Sequence, residues 1–99
     1  MVDDLIILPE AELDIIEAYE WYEEQQPGLG DEFLQCVDAC FKSIQRHPRA
    51  YQIVYKDYRR ALVRRFPYAA FYEYVDGIVT VYSVFHSSQN PKKWRKRLL

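Results

Sequence analysis

Apolar positions change their spacing along the chain, and the change divides it into a helical half and a strand half. Val2–Leu8 is a short apolar run that reads as a strand. From Pro9 the spacing becomes helical: Ala11, Ile15, Ala18 and Tyr22 recur every three or four residues, with Leu13, Ile16 and Tyr19 widening the stripe. Pro9 suits a first helical position because its missing N–H has no partner there in any case. Glu10 and Glu12 suit the positive end of the helix dipole. This helix is predicted to end near Gln25, ahead of Pro27-Gly28-Leu29-Gly30. A second helix starts around Gly30 or Asp31 with a core stripe of Leu34, Val37, Phe41 and Ile44. Lys42, Arg46 and His47 crowd its negative end, and Pro48 stops it. The short connector makes the pair an antiparallel hairpin.

Beyond Pro48 the pattern is β. Tyr51–Tyr55 is a strand, Lys56-Asp57-Tyr58 a turn, and Arg60–Arg64 a strand broken at Phe66-Pro67. Tyr68–Val75 and Ile78–Phe85 are the two longest strands, joined by Asp76-Gly77, the signature of a two-residue type I′ hairpin. The tail, Asn90 to Arg97, is a basic helical turn or a loose end. The expected fold is α+β: an N-terminal strand and a helix hairpin packed on one face of a mostly antiparallel sheet of four or five strands, in a single domain spanning residues 1–99.

The hairpin turn also assigns faces. Pairing outward from Asp76-Gly77 sets Phe71 opposite Tyr82, Ala69 opposite Val84 and Pro67 beside His86. Ala70, Tyr72, Tyr74, Val79, Val81, Ser83 and Phe85 then face the helices. Ala69, Phe71, Glu73, Thr80, Tyr82, Val84 and His86 face the other way, on a surface that is open or covered by a partner.

Charge sharpens this picture. The net charge of -2 hides a split: Asp3 to Asp38 supply twelve acids with no Lys or Arg among residues 1–40, and all 13 Lys and Arg follow. Two readings stay open, neutralisation within one fold and contact with a charged partner. On the expected register Arg64 and Arg65 lie at the same sheet end as His86, and the basic tail from Lys92 begins a few residues later. A mixed basic and aromatic rim beside an uncovered β surface fits a polyanion or an acidic peptide. Nine tyrosines are a surplus for this length and suit both packing and contact surfaces.

Other chemistry is thin. Cys36 and Cys40 share a helix face at a spacing unsuited to a disulfide and read as small packing residues. No zinc-type spacing follows them, so neither a metal nor a cofactor is expected. No apolar run approaches the roughly 20 residues that span a bilayer. Asp3 and Asp4 carry the wrong charge for a signal peptide, and the expected compartment is the cytoplasm, without a membrane partner. His86 has the right titration range for acid–base work, but no nucleophile and base accompany it in sequence.

Three stretches, "AELDIIEAYEWYEEQQPGLGDEFL", "RRALVRRFPYAAFYEY" and "IVTVYSVFHSSQNPKKW", together resemble the RelE/ParE superfamily of bacterial type II toxins. The resemblance implies a toxin neutralised by a cognate antitoxin. It further implies DNA gyrase as target on the ParE branch, or mRNA cleavage on the ribosome on the RelE branch. RelE-like members are known for Lys and Arg on the open sheet face and a C-terminal Tyr. Here Arg60 matches one basic position, whereas Leu62, Ala69 and Ser87–Gln89 stand at others and Trp94 is the terminal aromatic. Without those cations a nuclease loses most of its transition-state charge stabilisation. The ParE branch acts by binding and fits "RFPY", His86 and Trp94 better, with Gln89 standing where the C-terminal motif often carries Arg.

The expected function is therefore a toxin acting by protein binding. The alternatives are a non-toxic relative that keeps only the antitoxin-binding scaffold, and a RelE-like endoribonuclease using His86 and Arg60. Candidate contact residues for target or antitoxin are Arg64, Arg65, Tyr68, Phe71, Tyr82, His86, Lys92 and Trp94. A homo-oligomer is compatible with the same surface.

Overall fold

The structure is a computed structural model that describes residue 2, residues 4–87 and residues 91–98, apart from the side chain of Trp94. Its elements are β1 (Asp4–Ile7), α1 (Pro9–Gln25), α2 (Leu29–Arg46), β2 (Gln52–Tyr55), β3 (Tyr58–Leu62), β4 (Tyr68–Val75), β5 (Ile78–His86) and α3 (Pro91–Arg97). The sheet runs β1-β5-β4-β3-β2. β1 pairs parallel with β5 and every other pairing is antiparallel. The expected α+β architecture is the observed one. The bounds differ at β1, which covers Asp4–Ile7 of the expected Val2–Leu8, and at β3, which starts at Tyr58 because Lys56 takes a left-handed φ of 49° and completes the turn early.

The helix hairpin is fastened at its bend. Glu23, near the end of α1, accepts hydrogen bonds from the N–H groups of Gly28 (3.0 Å) and Gly30 (2.9 Å), two donors that the start of α2 would otherwise leave unpaired. Gly28 has φ 90°, a conformation that favours glycine. Gly30 lies against Tyr19, where a Cβ would come within 2.8 Å of the ring and of the backbone carbonyl oxygen. The "PGLG" segment thus reverses the chain and lets the two helices approach closely.

The core lies between this hairpin and one sheet face. Ala11 and Ala18 of α1, and Phe33, Val37, Cys40, Phe41 and Ile44 of α2, pack on Ala61, Val63, Ala70, Tyr72, Val79, Val81 and Val84. Two predicted stripes are narrower or rotated. Leu13 (58%) and Ile16 (50%) of α1 are exposed, because Ala11, Ala18 and the half-buried Ile15 and Tyr22 already fill the face toward the sheet. In α2 the core residue is Phe33 rather than the more exposed Leu34, since Phe33 aligns with Val37, Cys40 and Ile44.

The β4–β5 register follows the sequence expectation from Val75↔Ile78 to Tyr72↔Val81 and then departs from it. A β-bulge lies between Phe71 and Tyr72, so Phe71 pairs with Ser83, Ala70 with Val84, Ala69 with Phe85 and Tyr68 with His86. One extra residue on β5 reverses the faces beyond it. Phe85 moves to the far face, and Val84 packs with the helices.

The far face is not bare. α3 folds back over it, and Leu98 is buried with Ala69 and Phe71 in a second core that Val54, Tyr55, Tyr58, Tyr82 and Phe85 surround. The Arg97 guanidinium lies 4.8 Å from the Phe85 ring centroid, and that of Arg95 lies 5.4 Å from the Tyr55 centroid. The basic tail is therefore a helix of the fold.

Candidate binding groove

The paired arginines and "FPY" sit in a turn closed by hydrogen bonds from Val63 N–H to the Tyr68 carbonyl (2.8 Å) and from Ser87 N–H to the Pro67 carbonyl (2.7 Å). The aromatic residues of this turn point inward. Phe66 and Tyr68 join Tyr22 and Phe33 in a cluster with centroid separations of 4.9 to 6.0 Å, mostly edge-on. The arginines point outward: Arg65, at φ 73°, lies 3.9 Å from the Glu32 carboxylate of α2, and Arg64 lines a cavity beside α2.

On the α1 side of the same turn, the end of β4–β5 leaves a groove. One part, of about 250 Å³, is lined by Asp14, Glu17, Trp21, Tyr68, Val84 and His86. An adjoining part, of about 360 Å³, is lined by Trp21, Tyr22, Pro67, Tyr68 and His86. Trp21 (55% exposed), Tyr68 and His86 border both parts. The Tyr68 and His86 rings are cross-strand partners 5.3 Å apart, edge to face. The bulge carries His86 to this side, because without it the alternation would send His86 to the α3 face.

The acidic end of the groove is highly organised. β1 pairs with β5 only as far as Val81, so the outer edge of β5 beyond that point needs another partner. Asp14 of α1 supplies it, accepting from Val84 N–H at 3.0 Å, and also receives both terminal nitrogens of Arg97 at 2.9 and 3.3 Å. Burial pushes the Asp14 carboxyl above its ordinary range, against the opposing pull of the Val84 N–H and of Arg97. Burial also raises the Tyr68 hydroxyl, with the Asp14 charge adding to the effect.

The expected contact residues separate into distinct surroundings. Tyr68 and His86 meet in the groove. Arg64 and Arg65 lie at the same sheet end but turn toward α2. Phe71 is 2% exposed beneath Leu98, which removes it from every surface of this conformation. Tyr82 is half-buried on the α3 face, 5.0 Å from the Tyr58 ring, and donates to Glu73 at 3.3 Å. Lys92 is exposed on α3. The Trp94 side chain and Gln89 lie outside the described residues. Arg60 pairs with Phe71 in the sheet and so belongs to the α3 face, whereas His86 borders the groove on the α1 side. The two residues of the nuclease alternative are thus on opposite faces. No motif in the sequence marks Trp21, Asp14, Glu17 or Arg97 as a site residue. The available signal was the placement of Asp14 and Trp21 beside the Ala11–Ala18 stripe, on its border with the acidic face.

Among the described residues no group of three or more His, Cys, Asp or Glu is placed to hold a metal ion, and no helix is long and apolar enough to cross a membrane. Cys40 is buried, its thiol pushed up to about 11 by burial and directed at the carbonyls of Ala61 and Leu62. It is an inert packing group.

Comparison with known proteins bears on this geometry. The family profile described as "ParE toxin of type II toxin-antitoxin system, parDE" matches residues 5–91. Toxin ParE2 of Mycobacterium tuberculosis, in strains CDC 1551 / Oshkosh and ATCC 25618 / H37Rv, is 32% identical over 79 residues, which are 79% of this chain and 75% of the relative. Among solved structures, the chromosomal ParDE TA system from P. aeruginosa aligns with a TM-score of 0.75 at 15% identity, covering 84% of this chain and 94% of that one. The isolated E. coli RelE toxin aligns with a TM-score of 0.54 at 17% identity, covering 96% and 97%. At these identities the structural likeness concerns the fold.

Proposed function

The chain belongs to the ParE toxin family of type II toxin–antitoxin systems, and on that footing we propose that it arrests growth by binding a protein target, DNA gyrase, and that a cognate antitoxin neutralises it. The observation that carries the binding mode is the chemistry of the two sheet faces. A ribosome-dependent nuclease needs cations gathered on an open sheet face to neutralise a scissile phosphate. Here that face presents Ala69 and Phe71 beneath Leu98, with Leu62 exposed at its border and Arg60 separated from His86 by the thickness of the sheet. The opposite side presents a groove with an exposed tryptophan, a tyrosine–histidine pair and two carboxylates, a surface suited to docking rather than to bond cleavage.

Gyrase and the antitoxin are thus alternative or overlapping occupants of the Trp21–Tyr68–His86 surface. The cellular test is induction of the chain in bacteria lacking the antitoxin. The proposal expects growth arrest with gyrase-linked DNA breaks. Codon-positioned mRNA cuts would transfer the chain to the nuclease mode, and unimpeded growth with folded protein present would reduce it to an antitoxin-binding scaffold.

A further inference from the structure

Most arginines of this protein have an assigned contact. Arg59 donates to the carbonyls of Arg49 and Tyr51, Arg65 approaches Glu32, Arg97 holds Asp14, and Arg49 and Arg95 lie over tyrosine rings. The Arg46, Arg60 and Arg64 side chains have neither a hydrogen bond nor an ion pair with any described residue, and of these Arg46 and Arg64 line the same cavity, of about 280 Å³, between α2 and β3. They reach it from different elements, Arg46 from the last turn of α2 and Arg64 from the turn after β3. No carboxylate lines the cavity.

The same wall carries Ser43 and Tyr51, whose hydroxyl oxygens are 2.6 Å apart. Two hydroxyls share one hydrogen bond, so whichever donates, the other keeps a proton to offer a third group. The neighbouring Cys40 thiol is neutral at physiological pH and fastened to β3 carbonyls, so it places no negative charge against an incoming anion. Donors of two kinds, guanidinium and hydroxyl, thus line one cavity from three elements. A carboxylate offers two oxygens to such a set, whereas a phosphate monoester offers three. At about 280 Å³ the cavity is larger than a bare phosphate fills.

We propose that this cavity binds a small phosphate monoester, its phosphate oxygens held by the Arg46 and Arg64 guanidiniums and by the spare hydroxyl proton of the Ser43–Tyr51 pair. The site is separate from the groove beside α1, and its occupancy is independent of what the chain poisons.

The test is titration of the purified chain with inorganic phosphate and with a nucleoside monophosphate, followed by backbone-amide NMR, with acetate at equal ionic strength as the carboxylate control. Both phosphates are expected to give saturable shifts centred on Ser43, Arg46 and Arg64, with the monophosphate tighter and acetate inert. Arg64→Gln and Arg46→Gln should each weaken binding about tenfold or more. Lys96→Gln, which removes one exposed charge elsewhere, should leave it unchanged. Shifts that do not saturate, that acetate reproduces, or that all three variants reduce equally would overturn the assignment in favour of unspecific attraction to a basic surface. An acidic peptide that binds there while both phosphates fail would replace it with a carboxylate site.

Discussion

Arg97 and Asp14 are 83 positions apart in sequence, and their side chains meet in a two-point ion pair with contacts of 2.9 and 3.3 Å. The pair ties α3, which covers one sheet face, to α1, which covers the other, around the edge of β5. Asp14 also accepts from Val84 N–H, so one carboxylate closes the sheet edge and anchors the C-terminal helix. The pair is partly buried, at 30% and 13% side-chain exposure, so solvent screens it less than a typical surface pair.

A double-mutant cycle on Arg97→Ala and Asp14→Ala is expected to return a coupling of about 1 kcal/mol in urea unfolding. Asp14→Ala should be the more damaging single change, because it also leaves the Val84 N–H without its acceptor. Purely additive effects would show that the ion pair contributes nothing to holding α3, leaving Leu98 and the arginine–ring contacts to do so.

Gly30→Ala should destabilise the protein by about 1–3 kcal/mol, since the new methyl meets the Tyr19 ring and carbonyl at 2.8 Å and the helices must part. Thermal unfolding of the variant measures this directly. Leu34→Ala, two-fifths exposed on the same helix, should cost much less.

Tyr72 donates its hydroxyl to the Pro48 carbonyl at 2.6 Å, and burial pushes its ionisation up to about 12. The native state therefore keeps a proton that the unfolded chain releases near pH 10. Stability is full below that pH and falls as pH rises between about 10 and 12, by up to about 1.4 kcal/mol per pH unit for this group. Tyr72→Phe should flatten that part of the pH–stability curve, at a cost of about 1 kcal/mol at neutral pH from the unpaired carbonyl. An unchanged alkaline slope would argue against the buried hydroxyl.

Much of this architecture was legible because local signals agreed with the global fold. Pro9, "PGLG" and Pro48 punctuate the helices where the sequence indicates, and Asp76-Gly77, with φ of 52° and 80°, forms the hairpin corner. The bulge opposite Phe71 was not legible. Alternation continues smoothly through Tyr82-Ser83-Val84, and nothing in those residue types announces an extra position. That single residue decides which side His86 and Phe85 occupy, so the face assignments held along β4 and on β5 near the corner, and reversed on β5 beyond the bulge. The self-covering by α3 was hidden for a different reason. A seven-residue stretch rich in Lys and Arg reads as a solvated tail, and only its packing shows that Leu98 fills a hydrophobic gap while the arginines rest on aromatic rings. The tyrosine surplus is absorbed largely by such contacts, Tyr72 on Pro48 and Tyr51 on Ser43 among them.

The function proposed for this chain has it inhibit gyrase by docking through the surface around Trp21, Tyr68 and His86. Purified gyrase, assayed for supercoiling and for trapped DNA breaks with added wild-type chain, Trp21→Ala and His86→Ala, tests it most directly. Trp21 is more than half exposed, so its truncation leaves the fold intact. The account predicts inhibition by the wild type and loss of about tenfold or more in potency for both variants, with unchanged unfolding midpoints for Trp21→Ala. Gyrase that works normally in the presence of folded wild-type chain, or that both variants inhibit as well as the wild type does, would contradict it.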